Sequence, residues 1–167
     1  MPRERIRKDI VYKFKELSED AQDKTLEELY NINVDRNWWD STYDDAANIG
    51  LKIDGFDIDR GNYCKGIFTQ SAEDVAKAII EDHEKDCETF KTATEYLKEL
   101  DNAKMENAKQ EDEDLDTDDL DAEFLRSLLE DYRIILSNDY DYLTSREAII
   151  ETIEANEYEF TEKGKLA

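Results

Sequence analysis

The stretch of residues 51–69 constrains the fold of this chain more strongly than any other segment. Two runs of alternating apolar and polar residues flank Arg60-Gly61-Asn62, and glycine and asparagine readily adopt the positive φ angles of a tight hairpin turn. The alternation changes phase at Gly55, which predicts a β-bulge. The bulge would keep four apolar side chains on one face: Leu51, Ile53, Phe56 and Ile58. Because a two-stranded hairpin is not stable alone, we expect amphipathic helices to pack on that face.

Apolar residues at helical spacing predict about six helices around the hairpin. Their expected starts are Ser18, Asp35 or Asn37, Ser71, Thr89, Asp121, and Thr144 or Ser145. Alternation also predicts strands over residues 10–17 and 157–161, and we expect the second to pair with the first or with the hairpin. The predicted fold class is therefore α+β. A small antiparallel sheet, made of the hairpin 51–69 and the N- and C-terminal strands, packs against the helices in one domain over residues 1–167.

The chain carries 45 acidic and 22 basic residues, a net charge of −23. Residues 1–17 hold six basic and three acidic side chains, net +3, so residues 18–167 carry −26. Residues 1–8 read as a basic tail. Direct binding of nucleic acid requires clustered Lys and Arg, which the rest of the chain does not offer. The expected partner is a basic protein or a nucleoprotein complex.

Two groups of carboxylates are the candidate contact residues. The first lies in a predicted acidic loop, residues 111–121, which contains no Lys or Arg: Glu111, Asp112, Glu113, Asp114, Asp116, Asp118, Asp119 and Asp121. The second lies on predicted helix faces: Glu81, Asp82, Glu84, Asp86 and Glu88. Trp38 is a further candidate, because a helix cannot bury two adjacent tryptophans equally and tryptophan is enriched at interfaces.

No catalytic motif is recognisable, and we expect neither enzyme activity nor a cofactor. Cys64, His83 and Cys87 could bind zinc with a carboxylate, or His83 and Cys87 could form a nucleophile dyad. Packing of a lone histidine and free thiols explains them more simply. Asp54, Asp57 and Asp59 lack the ligand spacing of a calcium loop. Two cysteines, no signal peptide and no membrane-length apolar run predict a cytoplasmic protein.

Four segments carry a resemblance to a known group of proteins. They read VYKFKELS at residues 11–18, INVD at 32–35 followed by Trp38 and Trp39, GLKI at 50–53 with DIDRG at 57–61, and IIE at 149–151 with NEYEFT at 156–161. The chain resembles a set of small acidic proteins encoded by phages and prophages, some labelled antitoxin of a toxin–antitoxin stability system. The resemblance spans nearly the whole chain and brings no catalytic residues. It implies the cytoplasm of a bacterial host and a setting of host–phage conflict.

These observations favour a non-enzymatic binding protein of phage type. In this hypothesis its carboxylates take the place of DNA phosphates and inhibit a basic nucleic-acid-binding defence complex, either a CRISPR effector or a restriction system. One alternative is an antitoxin that neutralises a basic toxin. A second is an acidic protein with a Cys/His metal site or a cysteine enzyme. A third is an acidic coat that only confers solubility.

Overall fold

The computed structural model describes residues 9–109 and 115–167. Over these residues the fold is α+β, with six α-helices and two antiparallel sheets of two strands each. In chain order the elements are β1 (Tyr12–Lys13), a 3-10 turn (Phe14–Glu16), α1 (Glu19–Glu28), α2 (Asp40–Asn48), β2 (Leu51–Asp57), β3 (Tyr63–Phe68), α3 (Ala72–Asp82), α4 (Glu88–Ala108), α5 (Asp118–Leu143), α6 (Arg146–Ala155) and β4 (Glu159–Phe160). The predicted fold class and the number of helices are confirmed.

The chain separates into two compact units. Unit 1 comprises Met1–Trp38 and Asp139–Ala167, and unit 2 comprises Trp39–Asn138. Unit 1 holds β1, α1, α6 and β4, whereas unit 2 holds the hairpin, α2, α3 and α4. Helix α5 contributes residues to both units. The expectation of a single domain stays a prediction.

The hairpin of unit 2 has the predicted bulge. Strands β2 and β3 pair antiparallel, and their register shifts between Ile53 and Gly55. Asn62 has the expected positive φ, 48°. Gly61 serves a different purpose from the one predicted, because a Cβ there would lie 2.8 Å from the ring of Tyr63. The turn itself is held by Asp57, whose Oδ1 accepts hydrogen bonds from the backbone N–H groups of Asp59 and Arg60.

The helices of unit 2 pack on the apolar face of this hairpin, as predicted. Leu51 and Ile53 share one buried cluster with Val75 and Ile79 of α3 and Leu128 of α5. All but Ile53 are fully buried, and Ile53 is 7% exposed. The hairpin therefore gains its stability from helix packing, which removes its apolar side chains from water.

The sheet of unit 1 is formed by two strands that are far apart in the sequence. Strand β1 pairs antiparallel with β4, with Tyr12 opposite Phe160, so the predicted pairing of the terminal strands is confirmed. The terminal strands and the hairpin form two separate sheets instead of one. The strand predicted over residues 10–17 is wrong beyond Lys13, because the chain turns into a 3-10 helix that buries Phe14. The Glu16 side chain stabilises this turn by accepting a hydrogen bond from the Lys13 N–H at 2.8 Å.

Three predicted serine caps are present. The hydroxyls of Ser18, Ser71 and Ser145 each accept a hydrogen bond from the N–H three residues later. Other helix starts were predicted incorrectly. Helix α2 begins at Asp40 instead of Asp35 or Asn37. Helix α5 begins at Asp118, so part of the predicted acidic loop is its first turn, where carboxylates interact favourably with the helix dipole.

No helix in residues 9–109 or 115–167 combines the length and the apolar character that crossing a bilayer requires.

Candidate protein-interaction site

The carboxylates predicted around residues 81–88 lie together on the surface of unit 2. Glu81 and Asp82 end α3, Glu84 and Asp86 lie in the connection, and Glu88 begins α4. All five are exposed. Two lysines interrupt this acidity: Lys85 lies within the connection, and Lys91 pairs with Glu88 at 3.2 Å. The connection is therefore acidic overall but also carries lysine side chains.

The predicted acidic loop divides into three parts. Glu111, Asp112, Glu113 and Asp114 lie outside the described residues. Asp116, Asp118 and Asp119 are exposed at the start of α5. Asp121 is half-buried and accepts hydrogen bonds from the Tyr96 and Thr117 hydroxyls. Asp121 thus stabilises the contact between α4 and α5.

A third acidic surface, which the sequence reasoning missed, lies along the groove between α4 and α5. Glu95 and Glu99 of α4 and Glu123 of α5 line a cleft of about 130 Å³. We call this surface the α4–α5 face. Among the described residues, no basic side chain lies within 4.0 Å of these three carboxylates. They are free to form charge-assisted hydrogen bonds with Lys or Arg of another molecule.

Aromatic stacking positions the α4–α5 face. The rings of Tyr96 and Phe124 stack with centroids 4.4 Å apart and planes 10° from parallel. Further along the groove the Thr92 hydroxyl donates to Asp131 of α5 at 2.5 Å. Both rings are almost fully buried, so the floor of the groove is fixed. The carboxylates therefore project from two helices whose separation is set by packing.

A helical spacing in the sequence could have revealed this face. Glu88, Glu95, Glu99 and Glu106 follow one another at intervals of seven, four and seven residues, which places them on one stripe of an α-helix. At a rise of 1.5 Å per residue, the stripe extends over about 27 Å. Lys91 and Lys98 line a second cleft on α4 with Phe90, and Glu95 and Glu99 line this cleft as well. The two carboxylates therefore lie between the groove toward α5 and a flank of α4 that carries lysines.

A hydrogen-bonded cluster of polar side chains in unit 2 runs from the exposed Asp45 to the buried Tyr132 and Thr89. Asp45 of α2 accepts a hydrogen bond from the Tyr132 hydroxyl at 2.9 Å and lies 3.2 Å from Nε2 of His83. Nδ1 of His83 lies 2.6 Å from the hydroxyl of Thr89, the second residue of α4. In the neutral ring, Nε2–H donates to Asp45 and the threonine hydroxyl donates to Nδ1. The cluster ties four helices together.

The charge state of Asp45 follows from this cluster. The hydrogen bond from His83 is the main cause that lowers the pKa of Asp45, and the bond from Tyr132 acts in the same direction. Burial raises the pKa of Tyr132 far above its ordinary range, and the carboxylate of Asp45 adds to this. Asp45 therefore stays ionised while the phenol stays protonated. Thr89 is only 2% exposed, so its hydroxyl is shielded from solvent.

The structure does not bring Cys64, His83 and Cys87 together as metal ligands. No group of three or more His, Cys, Asp or Glu within the described ranges is placed to hold a metal ion. Cys64 is half-buried on β3, and burial raises its pKa to about 11. Cys87 is exposed and precedes α4 as its N-cap residue. The His83 ring nitrogens are both engaged with Thr89 and Asp45.

The adjacent tryptophans belong to different units. The ring of Trp38 packs against Tyr140 in unit 1, with centroids 5.6 Å apart. The ring of Trp39 packs against Phe56 of the hairpin in unit 2, at 5.7 Å. Both side chains are half-buried. The proposed role of Trp38 in partner binding stays a prediction.

Comparison of the chain with protein-family models, with curated proteins and with solved structures finds no match.

Proposed function

We propose that this protein is a non-enzymatic inhibitor of phage type that binds the basic nucleic-acid groove of a host defence complex. The observation that carries the proposal is the α4–α5 face, where Glu95, Glu99 and Glu123 line one cleft with no basic partner among the described residues. A cationic groove that normally holds DNA phosphates offers the Lys and Arg side chains these carboxylates lack.

The charge distribution supports a macromolecular partner. Unit 2 contains 28 acidic and 11 basic residues, a net charge of −17 over its 100 residues. Duplex DNA carries about one charge per 1.7 Å of axis, so a competitor for its binding groove needs many carboxylates on neighbouring surfaces. The acidic stripe of α4 follows the same direction as the groove. Such a surface accelerates encounter with a basic partner and is sensitive to ionic strength.

The test is displacement of DNA from defence complexes. A panel of purified CRISPR effectors and restriction complexes is loaded with labelled duplex DNA, and release is followed by fluorescence anisotropy as the protein is added. We expect release from one class of complex at about 50 mM NaCl, and much weaker release at about 500 mM, because salt screens the attraction. The kind of complex that responds identifies the target.

Two matched triple variants separate the α4–α5 face from net charge. The site variant is Glu95→Gln, Glu99→Gln and Glu123→Gln; the control is Glu27→Gln, Glu28→Gln and Glu162→Gln on exposed positions of unit 1. Both remove three charges. We expect the site variant to weaken displacement by at least about tenfold, and the control to weaken it by less than about threefold.

Equal losses in both variants would leave only a general effect of charge and would contradict the α4–α5 face as the binding site. Failure of the wild-type protein to displace DNA from any complex at low salt would contradict the proposed function itself. The alternative of an antitoxin makes a separate prediction: the product of the neighbouring reading frame is toxic alone, and this protein rescues growth.

A further inference from the structure

An edge of the small sheet in unit 1 carries apolar side chains exposed to solvent. Strand β4 pairs with β1, and its Phe160 also forms an isolated antiparallel bridge with Leu166. Strand β1 pairs only with β4 among the described residues, so its other edge is unpaired by any strand described. Immediately before β1, Ile10 is 77% exposed and Val11 is 41% exposed. Unpaired edges with apolar residues are sites at which another strand can add.

The sequence of this edge is complementary to itself. In an antiparallel pairing of residues 9–13 with the same segment of a second copy, Val11 lies opposite Val11 and Asp9 lies opposite Lys13. The two-fold symmetry produces this pair of opposite charges twice. In the same register Ile10 lies opposite Tyr12, whose ring packs on the core of unit 1. Opposite charges and apolar pairs across antiparallel strands are stabilising.

We propose that two copies of this chain associate through this edge, with residues 9–13 paired antiparallel about a two-fold axis at Val11. The pairing converts two sheets of two strands into one sheet of four, in the order β4, β1, second β1, second β4. Two-stranded sheets are only marginally stable, and extension to four strands gives each β1 a second neighbour. Such an interface uses the same patch on both copies, as two-fold dimers do.

The local fold limits the length of the pairing. The chain turns into the 3-10 helix at Phe14, and the Lys13 N–H is already engaged with the Glu16 carboxylate. The pairing therefore ends where Lys13 of one copy lies opposite Asp9 of the other, and the two-fold axis repeats this end on the opposite side. A short interface between two molecules of charge −23 must also overcome their mutual repulsion. Added salt screens that repulsion, so association becomes tighter as ionic strength rises.

This salt dependence is opposite to the one expected for binding a basic defence complex. The proposed dimer does not depend on the proposed function, because it uses residues 9–13 of unit 1, whereas the α4–α5 face belongs to unit 2. Sedimentation equilibrium of the full chain, over a wide concentration range at about 50 mM and about 500 mM NaCl, measures it directly. We expect a monomer–dimer equilibrium that shifts toward dimer at the higher salt.

Charge reversal tests the register. Asp9→Lys places lysine opposite Lys13 at both ends of the pairing, and we expect the dimerisation constant to fall by at least about tenfold. Asp9→Lys combined with Lys13→Asp restores opposite charges and is expected to recover most of the association. Ile10→Asp changes a side chain that is 77% exposed in the monomer, so the fold is retained while the dimer is lost.

A protein that stays monomeric at every concentration and salt would overturn the proposal. So would a dimer that Asp9→Lys and Ile10→Asp leave unchanged, or one that the double charge reversal does not recover. Circular dichroism of each variant establishes that the monomer is folded.

Discussion

The two units of this protein use polar side chains in different ways. Unit 1 has 17 acidic and 11 basic residues, net −6 over 67 residues, whereas unit 2 reaches −17 over 100 residues. In unit 1 neutral groups make the buried and half-buried connections between distant parts of the chain: the Thr25 hydroxyl lies 2.7 Å from the Gly164 carbonyl oxygen, and the Asn33 amide donates to the Leu143 carbonyl at 2.9 Å. In unit 2 several hydrogen bonds between helices end on carboxylates, such as Asp45 and Asp131.

This difference shows that the acidic composition of unit 2 has two separate roles. Most carboxylates of unit 2 lie at the surface, where they determine solubility and association. A few accept hydrogen bonds from hydroxyl groups or histidine and so form part of the packing between helices. Unit 2 should therefore be the more sensitive of the two to pH, and the following predictions test that contrast in order of decreasing effect on stability.

The largest effects are expected from truncating a core side chain in each unit. Leu128→Ala in unit 2 and Phe160→Ala in unit 1 remove side chains that are fully buried, and each should lower the free energy of unfolding by about 3 kcal/mol. Hydrogen exchange locates the damage: Leu128→Ala should reduce protection most in α3 and α4, and Phe160→Ala most in α1 and α6. Equal loss of protection in both units from either variant would contradict the division into units.

Asp45→Ala should have the next largest effect. It removes the acceptor of the buried Tyr132 hydroxyl and a partner of His83, and leaving such groups unsatisfied costs about 1–3 kcal/mol. Asp44→Ala is the matched control: both side chains are exposed, but only Asp45 bonds Tyr132 and His83, so loss of Asp44 should change stability by less than about 0.5 kcal/mol. Urea denaturation measures both, and similar values would mean that the cluster does not stabilise unit 2.

Two aspartates of unit 2 should respond to pH with opposite signs. The pKa of Asp45 is lowered from its ordinary value of 3.8, chiefly by the hydrogen bond from His83. The ionised carboxylate therefore stabilises the fold above pH 3.8, and this stabilisation is lost as the pH falls through the lower pKa of the folded state. Burial is the main cause that raises the pKa of Asp131. As the pH rises from the ordinary pKa of 3.8 through the higher pKa of the folded state, ionisation of Asp131 therefore destabilises the fold.

Chemical denaturation of Asp45→Asn and Asp131→Asn between about pH 3 and pH 7 tests these signs. Asp45→Asn should be less stable than wild type at neutral pH, with the deficit shrinking in acid. Asp131→Asn should be at least as stable as wild type at neutral pH, and this advantage should shrink in acid. A deficit of the same sign and pH dependence in both variants would contradict the assignment.

The smallest effect on stability is expected at Cys87, which is exposed. Cys87→Ser should change the free energy of unfolding by less than about 0.5 kcal/mol. It should nevertheless remove most of the reaction with iodoacetamide at about pH 8, because the raised pKa of half-buried Cys64 leaves little thiolate there. The remaining alkylation rate of Cys64 should be at least about tenfold lower than that of Cys87. Mass spectrometry of the labelled peptides measures both rates.

Local signals in the sequence predicted the local structure well. The phase change at Gly55 located the bulge, and the three serines begin helices through their hydroxyls. Each of these features depends on a few adjacent residues. The strand predicted over residues 10–17 was incorrect beyond Lys13, where burial of Phe14 prevailed over the alternating pattern.

Features that depend on distant residues could not be predicted in the same way. His83 ends α3, and its partner Asp45 is 38 residues away in the sequence. The α4–α5 face requires two helices brought side by side, although the spacing of Glu88, Glu95, Glu99 and Glu106 was visible in the sequence. With 45 acidic residues, spacing alone does not distinguish a groove from a solvated helix face.

The C-terminal turn of unit 1 determines how this protein can be handled. A side chain at Gly164 would place its Cβ 2.4 Å from the backbone oxygen of Ala21, and the Ala167 N–H donates to the carbonyl oxygen of Glu159 at 3.0 Å. This segment is thus held against α1 at Gly164 and against β4 at the Ala167 amide. A truncation before Gly164 would deprive the Thr25 hydroxyl of its partner across the chain.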